Sequence, residues 1–510
     1  MKTSSLSRWV AIVCIQVAFA ALSGFAVHTC LAADGAKGFD RKAWQEDYAR
    51  LKQELERRDA NLAWFASPQG GIDIPALDRR TRRALASAED DADAKAALLG
   101  FVGGFHGHFS QLPSLQPATA AAAKEPAQPA FDKLGAATGC AALGYGATHG
   151  VPFSLPFETL PGFALESDGV TRAFRAGVVA SANGTPIGIV RIRHFRQHED
   201  PAPCLQHWTD RAASQKGFDA DAFQDRIDVE WYAALAAQLH RFRTQGVAAV
   251  IVDLGGNTGG NDSGDAAARL FSPRPIHSAR VMINVASAPA YFDAALDDLR
   301  KAQRGYAKTG SVVPSALMQT IADFERRKAG VVAAHCDMSW VWRERHPWNR
   351  AGCNDWVEAG FASGAIDYLP AGALKDAKLA QMLYWPAVVD PYLGSWSGPV
   401  YVLTNGRTYS SAEMFTAVLH DNGIARTVGT ATGGDGCGFM QDEDPIVLPH
   451  SHLRFRMPDC VRLRADGTDE VAGIEPDLPL LPMQGESDCA RAARALEAIA
   501  ADLRKGKSAH

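Results

Sequence analysis

A strand, a turn, a helix and a second strand follow one another between residues 399 and 438, and this order restricts the fold. The apolar run from Val400 to Leu403 ends at an Asn-Gly pair, as a buried strand does when it stops at a turn. A helical stripe of apolar residues comes next and ends at a second Asn-Gly pair, residues 422–423. Strands joined by a helix predict a parallel sheet with the helix covering one face.

Ser410 lies where the first of these strands turns into the helix. The first backbone N–H groups of a helix have no partner within it, and the helix dipole is positive at that end, so a developing oxyanion is stabilised there. The position therefore favours a nucleophilic serine, with the N–H of Ser411 as an oxyanion donor. The alternative is that Ser410 or Ser411 only caps the helix.

Two further stretches carry recognisable patterns. Residues 248–260 read AAVIVDLGGNTGG, an apolar strand that runs into a glycine-rich turn, and residues 473–477 read GIEPD. Glycine has no Cβ to block the approach of a substrate. An N–H group from Gly259 or Gly260 therefore suits the second place in an oxyanion hole.

Together with VLTNGRTYSSAEMF around Ser410, these stretches resemble the tail-specific, or carboxyl-terminal-processing, serine peptidases. AVIVDLGGNTGG resembles that family's IDLRxNxGG strand and loop, and GIEPD resembles its closing GxxPD motif. The resemblance implies an α/β protein with a crotonase-like (ββα) serine-peptidase core, an N-terminal helical domain and a mixed insertion. It also implies a serine-type endopeptidase that acts on polypeptides and uses no metal or organic cofactor.

The resemblance departs from the family pattern at one place. Many bacterial members pair the serine with a lysine in a following loop, and here Asp435 stands in that position. A Ser-Lys pair is therefore not expected, and the sequence is nearer to the branch of the family with a Ser-His-Glu triad. In that branch a histidine after the N-terminal helices is the general base. His108 in GGFHGHF matches it, with His106 as the alternative.

The third member of that triad is a glutamate near the closing motif. The resemblance favours Glu470 over Glu475, although residues 466–468 read as an exposed turn that would make Glu470 a solvated acid. The predicted mechanism has His108 remove the proton of Ser410. Glu470 would then orient the imidazole and stabilise its charged form.

Composition and the N-terminus indicate the compartment. The 510 residues allow several domains, and a net charge of -5 gives no indication of nucleic-acid binding. Residues 1–33 have the basic start, apolar centre and small residues of a secretory signal. They predict a periplasmic or secreted protein with no stable membrane span after cleavage, the alternative being an uncleaved anchor. The sequence does not indicate the oligomeric state.

Seven cysteines follow residue 33, and their scatter does not resemble a metal site. In an exported protein disulfides are the expected state. Proximity in sequence favours the pairs Cys336–Cys353 and Cys437–Cys460. The odd number leaves at least one thiol free or paired between chains.

Local patterns predict the remaining organisation. After the signal come a helical domain (34–110), a Pro/Ala-rich linker (111–137), the first part of the core (138–280), an insertion (281–397), and the second part of the core with a C-terminal helix (398–510). Asn183-Gly184 predicts a β-hairpin with a type I′ turn. The insertion is rich in tryptophan, which is typical either of a lid or peptide-binding wall or of core aromatics in a helical segment.

Two other functions stay open from the sequence. One is a non-catalytic protein that binds a ligand or peptide on the same fold. The other is an esterase or acyl transferase that uses the same triad, although no G-x-S-x-G motif surrounds Ser410.

Overall fold

The computed structural model describes residues 38–113, 131–146, 151–209, 218–331, 336–440 and 444–508. The predicted signal and most of the predicted linker lie outside these residues. The chain divides into two compact units, residues 1–40 and 41–510, and the elements below belong to the second. No helix in the described part of the chain has the length and apolar character needed to cross a membrane.

The helices are α1 (Arg41–Arg58), α2 (Leu62–Phe65), α3 (Ile74–Ser87), α4 (Asp91–Val102), α5 (Ala136–Ala142), α6 (Pro201–His207), α7 (Ala220–Thr244), α8 (Ser263–Ala268), α9 (Ala288–Thr309), α10 (Ser315–Ala329), α11 (Ala377–Leu383), α12 (Ser411–Asp421) and α13 (Asp488–Ser508). The strands are β1 (Ser110–Leu112), β2 (Ala164–Asp168), β3 (Arg175–Ala180), β4 (Pro186–Arg191), β5 (Ala249–Asp253), β6 (Arg280–Asn284), β7 (Trp356–Phe361), β8 (Val400–Thr404), β9 (Ala425–Gly429), β10 (Ile446–Val447), β11 (Arg454–Arg456), β12 (Cys460–Leu463) and β13 (Leu478–Pro479).

The central sheet has seven strands in the order β13-β9-β8-β5-β4-β3-β2. Strands β4, β5, β8, β9 and β13 run parallel, while β2, β3 and β4 pair antiparallel at the other edge. The parallel sheet predicted from the strand–helix–strand order is confirmed. Because parallel strands end at the same edge, the loops after β5 and β8 meet there.

Both faces of the central sheet are buried. Val250 of β5 packs with Trp231 of α7 and Phe415 of α12 on one face. The next residue, Ile251, points to the other face and packs with Leu496 of α13. This alternation explains why the strands read as continuous apolar runs, since a sheet covered by helices on both sides exposes neither face to water.

Two small antiparallel sheets connect the predicted segments. β6 and β7, from the predicted insertion, pair with β12 from the second part of the core in the order β12-β6-β7. β1, which follows the helical region, pairs with β11 in the order β1-β11-β10. The second sheet ties the segment after His108 to the C-terminal part of the core.

The predicted hairpin is present but its turn type differs from the prediction, and two tryptophans of the predicted insertion are buried. β3 and β4 form the predicted hairpin, with Ala180 opposite Pro186. In its turn only Gly184 has a positive φ, 81°, so the turn is not type I′, which needs two such residues. In the predicted insertion, Trp342 and Trp396 are buried, which fits core aromatics at these two positions.

Three disulfides lie in the described residues. The predicted pairs Cys336–Cys353 and Cys437–Cys460 are both present. A third joins Cys140 to Cys204, which are 64 residues apart in sequence. Cys489 is a free and exposed thiol, in agreement with the odd number of cysteines.

Asp59, after α1, is a buried carboxyl with incomplete hydrogen bonding. One of its oxygens accepts the N–H of Asn61 at 2.8 Å, and the other has no partner among the residues that the structure describes. Burial raises the pKa of Asp59 to about 7, because water cannot solvate the charged form there.

We expect Asp59→Asn to change how stability depends on pH. Because the pKa of Asp59 is about 7 in the folded state and about 4 in the unfolded chain, the stability that this difference contributes is fully present below about pH 4. It is lost as the pH rises through about 7. The variant should therefore gain Tm over the wild type near pH 8 and match it more closely near pH 4. Thermal unfolding followed by circular dichroism would measure this, with Asp298→Asn, on the exposed side of α9, as the control. Equal pH slopes in wild type and Asp59→Asn would contradict a protonated Asp59.

Candidate active site

Ser410 occupies a strained backbone position at the start of α12. Its φ is 54° and its ψ is -118°, a combination that a residue with a Cβ rarely adopts. The two residues before the serine hold the loop in place: Tyr409 N–H donates to Asn257 O at 2.9 Å, and Thr408 Oγ1 donates to Leu254 O at 3.1 Å. The loop after β8 is thereby fixed to the loop after β5, as expected where parallel strands end together.

The glycine turn, residues 255–260, lies directly against this serine. A Cβ on Gly259 would be 2.6 Å from Ser410 Cβ and 2.9 Å from Ser411 N, so only glycine fits there. The N–H of Gly259 donates to Asn257 Oδ1 at 2.8 Å. Within the described residues, the N–H groups of Ser411 and Gly260 have no acceptor. Of the two glycines predicted to hold an oxyanion, Gly260 is the one whose N–H stays available.

Glu413, one turn into α12, is buried and accepts five hydrogen bonds. Oε2 accepts the N–H groups of Ser410 (3.1 Å), Asp435 (2.9 Å) and Gly436 (3.2 Å). Oε1 accepts Gly434 N–H at 2.8 Å and the Thr432 hydroxyl at 2.6 Å. Burial, followed by the charge of Glu470, raises the pKa of Glu413 to about 7, while the hydrogen bonds act in the opposite direction. This carboxyl joins the serine to the loop of residues 432–436.

His108 lies against the same loop. Its Nε2 atom is 2.9 Å from Asp435 Oδ2, although the ring N–H is not aligned for a hydrogen bond. A Cβ on Gly438 would be 3.1 Å from the ring, and Phe439 packs edge-on to it at 5.5 Å between centroids. His106, in contrast, is exposed. The structure therefore brings His108 rather than His106 to the loop that Glu413 holds.

Glu470 makes a different contact from the predicted one. It is fully buried, and Oε2 forms an ion pair with Arg462 Nε. Arg462 also donates to Ser410 O at 3.2 Å and to Gly436 O at 2.8 Å. The carboxylate that meets His108 is Asp435. The expected contact between Glu470 and His108 is thus replaced by one between Glu470 and a buried arginine.

The acidic groups around Arg462 have raised pKa values. Burial raises the pKa of Glu470, and the Arg462 charge opposes that shift. Burial also raises the pKa of the neighbouring Asp469 to about 7. For Arg462, burial disfavours the charge, but the attraction of Glu470 and other acids outweighs it and its pKa is raised. Arg462 is thus a permanent cation that binds the backbone carbonyls of Ser410 and Gly436.

The competing glutamate, Glu475, is exposed, and its backbone carbonyl accepts the Thr427 hydroxyl at 3.2 Å. Its position gives it no contact with His108 among those that the structure describes. The prolyl residue after it keeps this segment extended, beside the start of β13.

The Cys437–Cys460 disulfide links two parts of this site covalently. Cys437 follows Gly436, and Cys460 begins β12, two residues before Arg462. The bond therefore connects the loop that carries Asp435 to the strand that carries Arg462. Both cysteines are buried.

Sequence reasoning missed Glu413 and Arg462. The signal for Glu413 was present, because a serine followed three residues later by glutamate is the pattern of a capping box. No comparable signal marks Arg462, whose neighbours read as an ordinary strand. Among the described residues, Cys336, Cys353 and Asp355 are close enough to share a metal, but the two cysteines form a disulfide and offer no thiolates.

The fold and the sequence together define the class of protein. The sequence model of peptidase family S41 matches residues 186–480, which includes the glycine turn, Ser410 and the closing motif. The chain belongs to peptidase family S41. The predicted fold class is confirmed with it, and this membership supports a serine-type peptidase. A comparison with curated proteins finds no match.

Three solved structures align with half or more of this chain. A mutant of CPAF aligns with a TM-score of 0.50 and 14% identity, covering 90% of this chain and 96% of that one. Mature CPAF aligns with a TM-score of 0.48 and 16% identity, covering 91% and 98%. The photosystem II D1 C-terminal processing protease aligns with a TM-score of 0.27 and 14% identity, over 62% and 50%. At 14% identity, the likeness to the CPAF mutant concerns the fold alone.

Proposed function

We propose that this chain is an exported serine peptidase that hydrolyses peptide bonds with Ser410 as nucleophile and His108 as general base. Membership in peptidase family S41 supports the reaction class. The observation that carries the assignment is the strained Ser410 beside two N–H groups without acceptors in the described residues, those of Ser411 and Gly260. A serine that only capped its helix would need neither the strain nor a glycine pressed against it.

The reaction has two halves. His108 accepts the proton of Ser410 Oγ as that oxygen bonds to the peptide carbonyl carbon, and the carbonyl oxygen takes up the negative charge. The N–H groups of Ser411 and Gly260 stabilise this oxyanion. The imidazolium then gives its proton to the leaving amine. Water, deprotonated by the same histidine, releases the acyl group and restores the serine.

Asp435 is proposed as the group that orients His108, on the strength of their 2.9 Å separation. Glu470 is the second candidate for this role, because its Oε1 is buried without a partner in the described part of the chain. In the first case Glu470 acts only through Arg462, which it neutralises. In the second case the His108 ring would have to turn from Asp435 towards Glu470 when substrate binds.

The proposal includes export of the protein to the periplasm or its secretion from the cell. Three disulfides support it, because such bonds persist in oxidising compartments. The signal-like composition of residues 1–33 supports it independently.

The proposal is tested by incubating the pure protein and Ser410→Ala with an unfolded polypeptide and identifying the products by mass spectrometry. We expect cleavage by the wild type and none by the variant, and a fluorophosphonate should label only the wild type. Equal cleavage by both would exclude Ser410 as the nucleophile. Labelling and ester hydrolysis without peptide cleavage would identify an esterase, and absence of both would identify a binding protein.

A further inference from the structure

The segment that follows β4 lies directly beside the glycine turn. Phe195 N–H donates to Gly259 O at 3.1 Å, and Asn261 N–H donates to Phe195 O at 2.9 Å. The Asn257 side chain donates to Ile192 O at 3.0 Å. These bonds include a parallel β-bridge between Phe195 and Gly260. The backbone of residues 192–197 is thereby fixed beside the glycine turn.

Arg196 places the stem of its side chain against Gly260 of the glycine turn. A Cβ on Gly260 would be 2.9 Å from Arg196 Cγ, just as a Cβ on Gly259 would be 2.6 Å from Ser410 Cβ. Gly260, which faces Arg196, and Gly259, which faces Ser410, are consecutive residues. Their Cα atoms are therefore about 3.8 Å apart. The rest of the Arg196 side chain can reach over a peptide whose carbonyl lies at Ser410.

The guanidinium of Arg196 keeps its hydrogen-bonding capacity. Its side chain is 61% exposed, and its ion-pair partner Glu199 is 3.8 Å away, beyond hydrogen-bond distance. Glu199 is closer to His194, whose Nε2 is 3.0 Å from its carboxylate. An exposed ion pair at such a distance contributes little. Arg196 can therefore offer its fork of N–H donors to a carboxylate from outside the chain.

We propose that Arg196 is a specificity-determining residue that selects peptides with aspartate or glutamate at one of the two residues joined by the cleaved bond. The inference rests on the proposed peptidase function. When the N–H groups of Gly260 and Ser411 hold the substrate carbonyl oxygen, the residues on either side of that carbonyl lie within reach of Arg196. A bidentate guanidinium–carboxylate contact is the interaction that such a geometry favours.

The test is a set of otherwise identical peptides with Glu, Gln or Lys on each side of one cleaved bond, assayed for kcat/KM. We expect the wild type to prefer Glu over Gln by about tenfold at one of the two positions, the strength of a charge-assisted hydrogen bond. Arg196→Gln should remove this preference and leave the Gln peptide unaffected. Arg196→Glu should reverse it in favour of Lys. Arg304→Gln, which changes an exposed arginine of α9, is the charge-matched control.

The outcomes separate the two levels of the proposal. Cleavage with the same Glu-to-Gln ratio in wild type and Arg196→Gln would contradict the specificity role alone. If the wild type cleaved none of the peptides and no unfolded polypeptide, the peptidase function itself would fall, and this inference with it. A loss of preference in both Arg196→Gln and Arg304→Gln would show a general charge effect and would also overturn the role of Arg196.

Discussion

Replacing Asp435 with asparagine is expected to lower kcat/KM by about 10²–10⁴-fold while the Tm stays close to that of the wild type. The carboxylate is 2.9 Å from His108 Nε2, and in the proposed mechanism it stabilises the imidazolium that forms during acylation. An amide neither holds the ring in the required orientation nor balances its charge. The backbone N–H of Asp435 still donates to Glu413 in the variant, so the loop keeps its anchor.

Glu470→Gln should lose more stability and less activity than Asp435→Asn. It leaves the buried Arg462 without its ion-pair partner, which we expect to cost about 3–5 kcal/mol in the free energy of unfolding. Its effect on the rate in the folded protein should be smaller than that of Asp435→Asn. Thermal unfolding and peptide hydrolysis of both variants, at a temperature where both are folded, supply the comparison. If Glu470→Gln lost more activity than Asp435→Asn, and less stability, Glu470 would be the residue that orients His108.

The difference between these two acids shows where sequence reasoning reached its limit. The strand, turn and helix around Ser410 could be predicted, because each depends on apolar periodicity and on Asn-Gly stops within a few residues. The position of His108 after the N-terminal helices also could be anticipated from the resemblance. The partner of His108 could not, because it depends on which acid the loop of residues 432–436 presents.

Long-range pairing escaped prediction for the same reason. Cys140 and Cys204 meet because α5 and α6 pack together, although 64 residues separate them. Glu470 is close in sequence to an exposed turn, yet it is fully buried because β12 brings Arg462 to it. Periodicity describes which face of an element is apolar, but it does not state which buried cation an acid will meet.

Gly259 illustrates a finer limit. The sequence predicted that Gly259 or Gly260 would supply an oxyanion N–H group, because a Cβ would block the approach of the substrate. In the structure a Cβ on Gly259 would meet Ser410 Cβ itself. The sequence did not indicate that the Asn257 side chain would take the Gly259 N–H and leave that of Gly260 available. Such an assignment depends on the turn's conformation, in which Gly259 has a φ of 87°.

Glu413→Gln is expected to lower kcat by about 10²–10³-fold with a smaller change in KM, a loss comparable to removing a group that orients the catalytic machinery. Glutamine has one oxygen to accept hydrogen bonds, and its amide nitrogen would face N–H donors on the other side. Either Ser410, Asp435 and Gly436 or the pair Thr432 and Gly434 would lose their acceptor. An unpaired buried donor costs about 1–3 kcal/mol, so the loop should move away from the serine.

A purely structural role for Glu413 would lower Tm and leave the folded enzyme active, so the decisive measurement is the rate of fluorophosphonate labelling of Ser410 below the unfolding transition. A positioning role predicts slow labelling together with faster amide hydrogen exchange of residues 432–436, because both the nucleophile and the loop beside His108 lose the same acceptor. Glu475→Gln removes an exposed glutamate from the closing motif and should leave both measurements unchanged. Wild-type labelling in Glu413→Gln would mean that the strain at Ser410 is maintained by Tyr409 and Arg462, which hold the backbone on either side of it.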